Sequence, residues 1–205
     1  MSSRAYDWAD GCRYEVCEKY GIDHRNTGKW VVAQTPEQSK YLEGIREHAS
    51  SLDVPVRFVS KEEAERDEPA VRAKEAVLES SSTGIVDSHA FMLYLLGQFE
   101  AQEGDIVYRT QVKAIAQKSR GRFDITCMTE DGEETSIDAG VVVNSAGLSA
   151  CDVSNMLLPK ERHIKPYYAK GNYFSYTLPK PKTKRLIYPC PDSAHFAGYF
   201  TQIAI

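Results

Sequence analysis

The chain has 205 residues, of which 42% are hydrophobic and 26% charged, a composition typical of a folded globular protein. Its net charge of -4 argues against nucleic acid as a partner, since nucleic-acid binding needs a basic face. No apolar run is long enough for a membrane span. The five cysteines are odd in number, without a C-x-x-C pair, and the histidines are isolated, so the pattern predicts reduced thiols and no metal site.

The first third of the chain alternates helix and strand patterns. Residues 5–20 carry one apolar stripe at helical spacing, and Gly21 follows where a helix would end. Residues 30–33 form a short apolar run between turn signals, which predicts a strand. Thr35 then has the position of a helix cap, with Pro36 at the first helical position.

The next elements are shorter. Residues 54–59 predict a strand, and Pro55 favours an edge position, because proline lacks the amide proton that a central strand needs. Ser60 predicts the cap of a short helix, with Glu63 at the capping-box position. Residues 76–78 predict a brief strand before a small polar loop.

The middle of the chain contains the best helix pattern. Asp87 is its predicted cap, and aromatic and aliphatic side chains follow at helical spacing up to about Gly104. Strands are predicted over 105–115 and 122–128, and Asp131-Gly132 is a hairpin turn signal.

Three consecutive valines, Val141–Val143, predict a strand buried on both faces. Asn144 ends this run, and the small residues Ser145, Ala146 and Gly147 follow. Ligands of open α/β sheets bind outside the carboxyl ends of the strands, and small residues allow close approach to the backbone. We therefore expect a cofactor at Asn144–Gly147, although an ordinary strand-to-helix turn explains the same residues equally well. A hydrolase with Ser145 as nucleophile is disfavoured, because Val143 stands where the nucleophile elbow needs glycine.

The last third predicts a helix over 151–158 and strands over 167–176 and 185–188. Lys170 lies in an aromatic stretch, where it either binds a carboxylate or extends from an exposed face. Tyr188 either directs its hydroxyl into a pocket or covers a core. Helices mixed with buried and hairpin strands predict an α/β part interleaved with an antiparallel part.

Five segments together resemble a known family. They are G-K-W-V-V-A, S-S-T-G-I-V-D-S-H-A-F-M, V-V-V-N-S-A-G-L, Y-Y-A-K-G-N-Y-F and R-L-I-Y-P-C-P. In order and spacing, from about Tyr14 to Pro191, they resemble the FAD-dependent oxidoreductases of the D-amino-acid-oxidase type, and most of all the L-2-hydroxyglutarate dehydrogenase group. The last two segments are the most specific to that group.

The resemblance implies a cofactor, a reaction and a division into domains. Residues 1–28 and 84–158 would form part of a doubly wound FAD-binding domain, and 29–83 and 159–205 part of an antiparallel-sheet substrate domain. Val112 and the turn Asn144, Ser145, Ala146 and Gly147 would contact FAD. Lys170 and Tyr188 would bind a small 2-hydroxy acid, which transfers a hydride to the flavin; the catalytic base and the electron acceptor stay unassigned.

The sequence also departs from the family pattern. The strand with a G-x-G-x-x-G turn is absent, as is the later flavin-binding glycine segment, so we expect a fragment truncated at both ends that binds FAD weakly. The alternatives are an amino-acid or amine oxidase of the same superfamily, and a non-catalytic remnant that only binds a ligand or partner. Mitochondrial localisation follows from the resemblance alone; without it the expectation is the cytoplasm.

Overall fold

The computed structural model describes residues 14–172, 177 and 182–191. They divide into two compact units, one within Met1–Gln102 and Gly171–Ile205 and the other Glu103–Lys170. Both units combine helices with β-sheet, which confirms the predicted mixed fold class. The assignment of 1–28 and 84–158 to an FAD-binding domain, and of the remainder to a substrate domain, stays a prediction.

The elements follow in chain order. The helices are α1 (described over 14–20), α2 (Pro36–Ser51), α3 (Lys61–Asp67), α4 (Ser88–Ala101) and α5 (Ala150–Asn155). The strands are β1 (His24–Arg25), β2 (Lys29–Ala33), β3 (Val56–Val59), β4 (Ala76–Ser80), β5 (Ile85–Val86), β6 (Thr110–Gln117), β7 (Phe123–Thr129), β8 (Glu134–Ala139) and β9 (Leu186–Pro189). Short 3₁₀ turns occupy Ser119–Gly121, Gly147–Ser149 and Lys160–Arg162.

The helices of the first unit begin where their caps predict. The hydroxyl of Thr35 accepts a hydrogen bond from the amide of Gln38, and that of Ser60 from the amide of Glu63. Asp87 accepts from two amides in the first turn of α4. Gly21 ends α1 with a positive φ of 66°, a left-handed conformation that glycine adopts without strain. The part of the predicted first helix over 5–13 lies outside the described residues.

A four-stranded sheet in the order β3-β4-β2-β9 forms the centre of the first unit. β4 pairs antiparallel with β2 and β3, whereas β9 pairs parallel with β2. β3 is at the edge of the described sheet, directly after Pro55, as predicted.

The sheet has an apolar core on each face. On one face, Leu42 of α2 packs with Ala33, Leu78 and Cys190. On the other face, Trp30 packs with Val77 and with Ala64 of α3. Leu42 and Trp30 are both fully buried, so the described residues of this unit cover both faces of their own sheet.

The second unit contains an antiparallel three-stranded sheet, β6-β7-β8. The predicted hairpin is confirmed, since Gly132 has a φ of 84° between β7 and β8. β6 begins at Thr110, so the prediction of a strand from Asp105 is wrong: Arg109 has a φ of 54°, and this left-handed residue interrupts an extended backbone.

The predicted buried strand at Val141–Val143 is wrong. These residues belong to no described strand, and Val141 and Val143 are 78% and 80% exposed. A strand buried on both faces needs a neighbour on each side, and none of the described sheets includes it. The valine run correctly indicates an apolar segment, but the described residues do not cover it.

The predicted helix after Asp87 is confirmed as α4, although none of its residues is buried, so its apolar side chains have no core beneath them among the described residues. The predicted strand over 167–176 is wrong where it is described. Residues 167–172 of the predicted strand 167–176 have no strand conformation, and Tyr167 is 93% exposed. Residues 173–176 lie outside the described residues.

Candidate functional site

The side chain of Asn144 holds the turn Asn144–Gly147 in place. Asn144 accepts a hydrogen bond from the amide of Ala146 at 3.2 Å. It donates to the carbonyl of Ala150 at 2.8 Å and to the hydroxyl of Ser154 at 3.0 Å. The amide therefore links the turn to the start of α5, and Asn144 positions the backbone of the turn.

The turn also has the open backbone that its sequence predicts. Gly147 has a φ of 56°, and a Cβ atom built on it would meet nothing within 4 Å. Asn144–Gly147 is exposed throughout, as is Leu148. An exposed turn of small residues with a left-handed glycine is accessible to a flat or charged ligand.

Val112 lies in the same unit as this turn. It is half-buried in β6, opposite Cys127 of β7, and the register shifts between Val112 and Ala114. β6 also contacts α5, which the turn precedes. Val112 and Asn144–Gly147 are thus joined through the packing of one helix on one strand.

Lys170 is the last residue of the second unit and is exposed. It makes no ion pair with any described residue, so its charge is available to an anion or to water. The two interpretations of Lys170, carboxylate binding and simple exposure, both fit this position.

Tyr188 belongs to the first unit. It lies in β9 opposite Val31 of β2, and the Nζ of Lys29 is 5.6 Å from the centre of its ring. At this distance the ammonium group interacts favourably with the aromatic face. The predicted strand over 185–188 is confirmed as Leu186–Pro189.

A buried charge network, which the sequence patterns did not reveal, fastens β9 to the sheet. Glu68, at 1% exposure, accepts hydrogen bonds from the backbone amides of Lys184 and Arg185 at 3.0 Å each. The guanidinium of Arg185 reaches Glu68 at 3.5 Å and Glu79 at 3.3 Å, and stacks 4.9 Å from the ring centre of Trp30.

Glu79 is the second carboxylate of the network. It accepts a hydrogen bond from Trp30 Nε1 at 3.1 Å and forms an ion pair with Arg57 at 2.6 Å. Arg57 also donates to both oxygens of Glu63, and this bond lowers the pKa of Glu63 and raises that of Arg57. Buried carboxylates need such partners, and because these partners are far apart in the sequence, no local pattern predicted the network.

Charged groups in the second unit lie on the surface of its sheet. Lys118 donates to Asp124 at 2.9 Å, and this bond lowers the pKa of Asp124. A hydrogen bond from Arg122 likewise lowers the pKa of Asp138. Exposed pairs of this kind contribute little to stability, and they hold strands together rather than forming a reactive centre.

The described residues fit a dinucleotide only in part. The exposed turn at Asn144–Gly147 allows close approach, but the described part of the chain contains no glycine-rich turn with a following helix that could bind a diphosphate. Within the described ranges, no group of three or more acidic, histidine or cysteine side chains converges on a metal position. None of the described helices combines the length and hydropathy needed to cross a membrane.

A family model described as FAD dependent oxidoreductase (DAO) matches residues 2–204. The chain is 28% identical over 92% of its length to the mitochondrial L-2-hydroxyglutarate dehydrogenase of Arabidopsis thaliana, and 31% identical over 88% to that of Homo sapiens. It is 26% identical over 87% to the L-2-hydroxyglutarate dehydrogenase of Escherichia coli. The chain spans 45%, 40% and 41% of these relatives, respectively.

Solved structures share the fold at lower identity. L-proline dehydrogenase from P. horikoshii superposes with a TM-score of 0.63 at 17% identity, over 88% of this chain and 47% of the other. Glycine oxidase from Geobacillus kaustophilus gives 0.61 at 19% identity, over 91% and 48%. Proteins with different substrates thus share this architecture.

Proposed function

The chain belongs to the family of FAD-dependent oxidoreductases, and from that premise we propose that it is part of an enzyme that oxidises L-2-hydroxyglutarate or a closely related 2-hydroxy acid. The observation that carries this proposal is the similarity to relatives named for that activity, at up to 31% identity over 88% of the chain. The fold alone would not single out this substrate, because an amine-oxidising neighbour shares it.

The proposed reaction removes two hydrogens from the substrate. The C2–H bond breaks with its electron pair and the hydroxyl loses a proton, so that a C=O bond forms and a 2-oxo acid is released. FAD, the cofactor of this family, would supply the acceptor for this hydride when it is bound. The catalytic base and the final electron acceptor are not assigned.

We assign substrate binding to Lys170 and Tyr188 as part of this proposal. Lys170 has no ionic partner among the described residues, which leaves its charge for a substrate carboxylate. Tyr188 has its ring beside the ammonium of Lys29 on a strand that a buried charge network holds in place. A tyrosine on a fixed strand is suited to orienting a ligand through its hydroxyl.

We assign FAD contacts to Val112 and to the turn Asn144, Ser145, Ala146 and Gly147. The exposed backbone of this turn and its link to β6 through α5 support the assignment. Because the residues that the structure describes include no diphosphate-binding turn, we expect the 205-residue chain to bind FAD weakly. Purified protein should lack a stoichiometric flavin absorbance between about 350 and 500 nm; a stoichiometric spectrum would contradict this expectation.

The decisive experiment for the substrate compares two lengths of the protein. Oxidation of L-2-hydroxyglutarate with an artificial electron acceptor should be found when the reading frame is extended to the length of the relatives, and should be absent or weak in the 205-residue chain. Glycine and proline serve as competing substrates. Turnover of either in preference to the hydroxy acid would favour an amino-acid oxidase, and activity of neither form with any of the three would favour a non-catalytic remnant.

Localisation is proposed from the relatives only. The plant and human proteins are named as mitochondrial, whereas the name of the bacterial protein carries no such label. From the resemblance to these relatives we propose a mitochondrial location, and without that resemblance a cytoplasmic one; imaging of the protein with a carboxyl-terminal tag tests this.

A further inference from the structure

A cavity of about 500 Å³ lies in the first unit, on the face of the sheet that α2 covers. Its floor is apolar and is formed by strands β2, β3 and β4, by helix α2 and by the segment that leads into β3. The side chains of this floor are those of Val31, Ile45, Val54, Val56 and Leu78. The volume is in the range of small-molecule sites in proteins.

One end of the cavity is polar. Lys29 and Ser80 are cross-strand partners in β2 and β4, so their side chains project from the same face of the sheet. The hydroxyls of Ser80 and Thr83 are hydrogen-bonded to each other at 3.1 Å. That bond uses only one of the two hydroxyl protons, so the pair can still donate the other to an anion.

Lys29 is the one cationic side chain among the described residues that line the cavity. Lys29 is half-buried, and it contacts the ring of Tyr188 but no carboxylate among the described residues. Glu79 also borders the cavity, but it is the cross-strand partner of Trp30, and its carboxylate lies on the opposite face of the sheet. There it accepts a hydrogen bond from Trp30 and forms ion pairs with Arg57 and Arg185. Among the described residues, no carboxylate therefore balances Lys29 within the cavity.

We infer that this cavity binds a monocarboxylate with an aliphatic chain, its carboxylate at Lys29, Ser80 and Thr83 and its chain on the apolar floor. A single cation with two hydroxyls matches one carboxylate. An apolar floor with Lys29 as the one cation among its described lining residues disfavours a dicarboxylate such as the substrate proposed above. Tyr188, which Lys29 contacts, lies outside that lining. The inference does not depend on the substrate assignment.

Isothermal titration calorimetry of the 205-residue chain with octanoate tests the inference. We expect saturable binding with one site, and an affinity that rises about threefold to fourfold for each methylene from butanoate to octanoate, as apolar burial requires. Octan-1-ol and glutarate should bind more weakly than octanoate. Absence of saturable binding, or equal binding of glutarate, would overturn the inference.

Two lysine variants locate the site. Lys29→Met keeps an unbranched side chain but removes the charge, and should weaken octanoate binding by about tenfold or more. The matched control Lys40→Met changes an exposed lysine of α2 outside the cavity lining, and should stay within about twofold of the unmodified chain. Equal affinities of the two variants would overturn the inference. If Lys29→Met does not fold, the chain-length series with the unmodified protein decides.

Discussion

The four-stranded sheet of the first unit and the helix α4 contrast in how their apolar residues are used. Trp30 of the sheet is fully buried in the core beside α3, and Leu42 of α2 is fully buried against the other face of the sheet. In α4, apolar side chains are as frequent, yet none is buried by the described residues. The segment at Val141–Val143 in the second unit behaves like α4.

The difference shows what apolar sequence patterns encode. A helix that is apolar on most sides is expected to be buried by other residues. The pattern does not say whether those residues are its neighbours in the sequence. The sheet is covered by elements close to it in sequence. The described residues provide no such cover for α4 or for Val141–Val143, and the chain spans less than half the length of its named relatives.

The largest expected effect is a difference in the free energy of unfolding between two leucine-to-alanine variants, one in each region. Leu42→Ala removes a fully buried side chain from the core between α2 and the sheet, and should lower the free energy of unfolding by about 2–5 kcal/mol. Leu93→Ala, in α4 at 67% exposure, should change it by less than about 0.5 kcal/mol. Urea denaturation followed by circular dichroism measures both; equal losses would contradict the comparison.

A smaller effect should come from the network that holds β9. Glu68→Gln replaces a buried carboxylate that accepts from the amides of Lys184 and Arg185, and should cost about 1–3 kcal/mol. Glu65→Gln, at an exposed position of α3, is the matched control and should be near neutral. If thermal melts of the two variants coincide, the network does not stabilise the sheet.

Two glycines should respond in opposite directions. A Cβ atom on Gly84 would clash with the Tyr14 hydroxyl and lie 2.5 Å from the Arg25 carbonyl, so Gly84→Ala should destabilise the protein by about 1–3 kcal/mol. In α4, Gly97 has nothing within 4 Å, and Gly97→Ala should stabilise the helix by up to about 1 kcal/mol. Destabilisation by Gly97→Ala would reveal cover on α4 that the described residues do not provide.

Local chemistry made many elements predictable. Thr35, Ser60 and Asp87 each accept the amide bonds that place a helix start, and Asp131-Gly132 forms its hairpin. These signals work because the residues involved are within a few positions of one another. The family resemblance was also visible in short segments spread across both units.

Long-range arrangements were not predictable from the sequence. Glu68 and Arg185 are 117 positions apart, so no local pattern connects them. The exposure of Val141–Val143 depends on which strands are present beside it, and spacing cannot reveal that. For the same reason the roles of Lys170 and Tyr188 stay proposals.

Amide hydrogen exchange measured by mass spectrometry on the 205-residue chain tests the central contrast most directly. Peptides from β2 and β4 should exchange at least about a hundredfold more slowly than peptides from α4 and from residues 141–148, because the described residues cover the former and not the latter. Equal protection of α4 and the sheet would contradict the view that the two regions differ in what covers them.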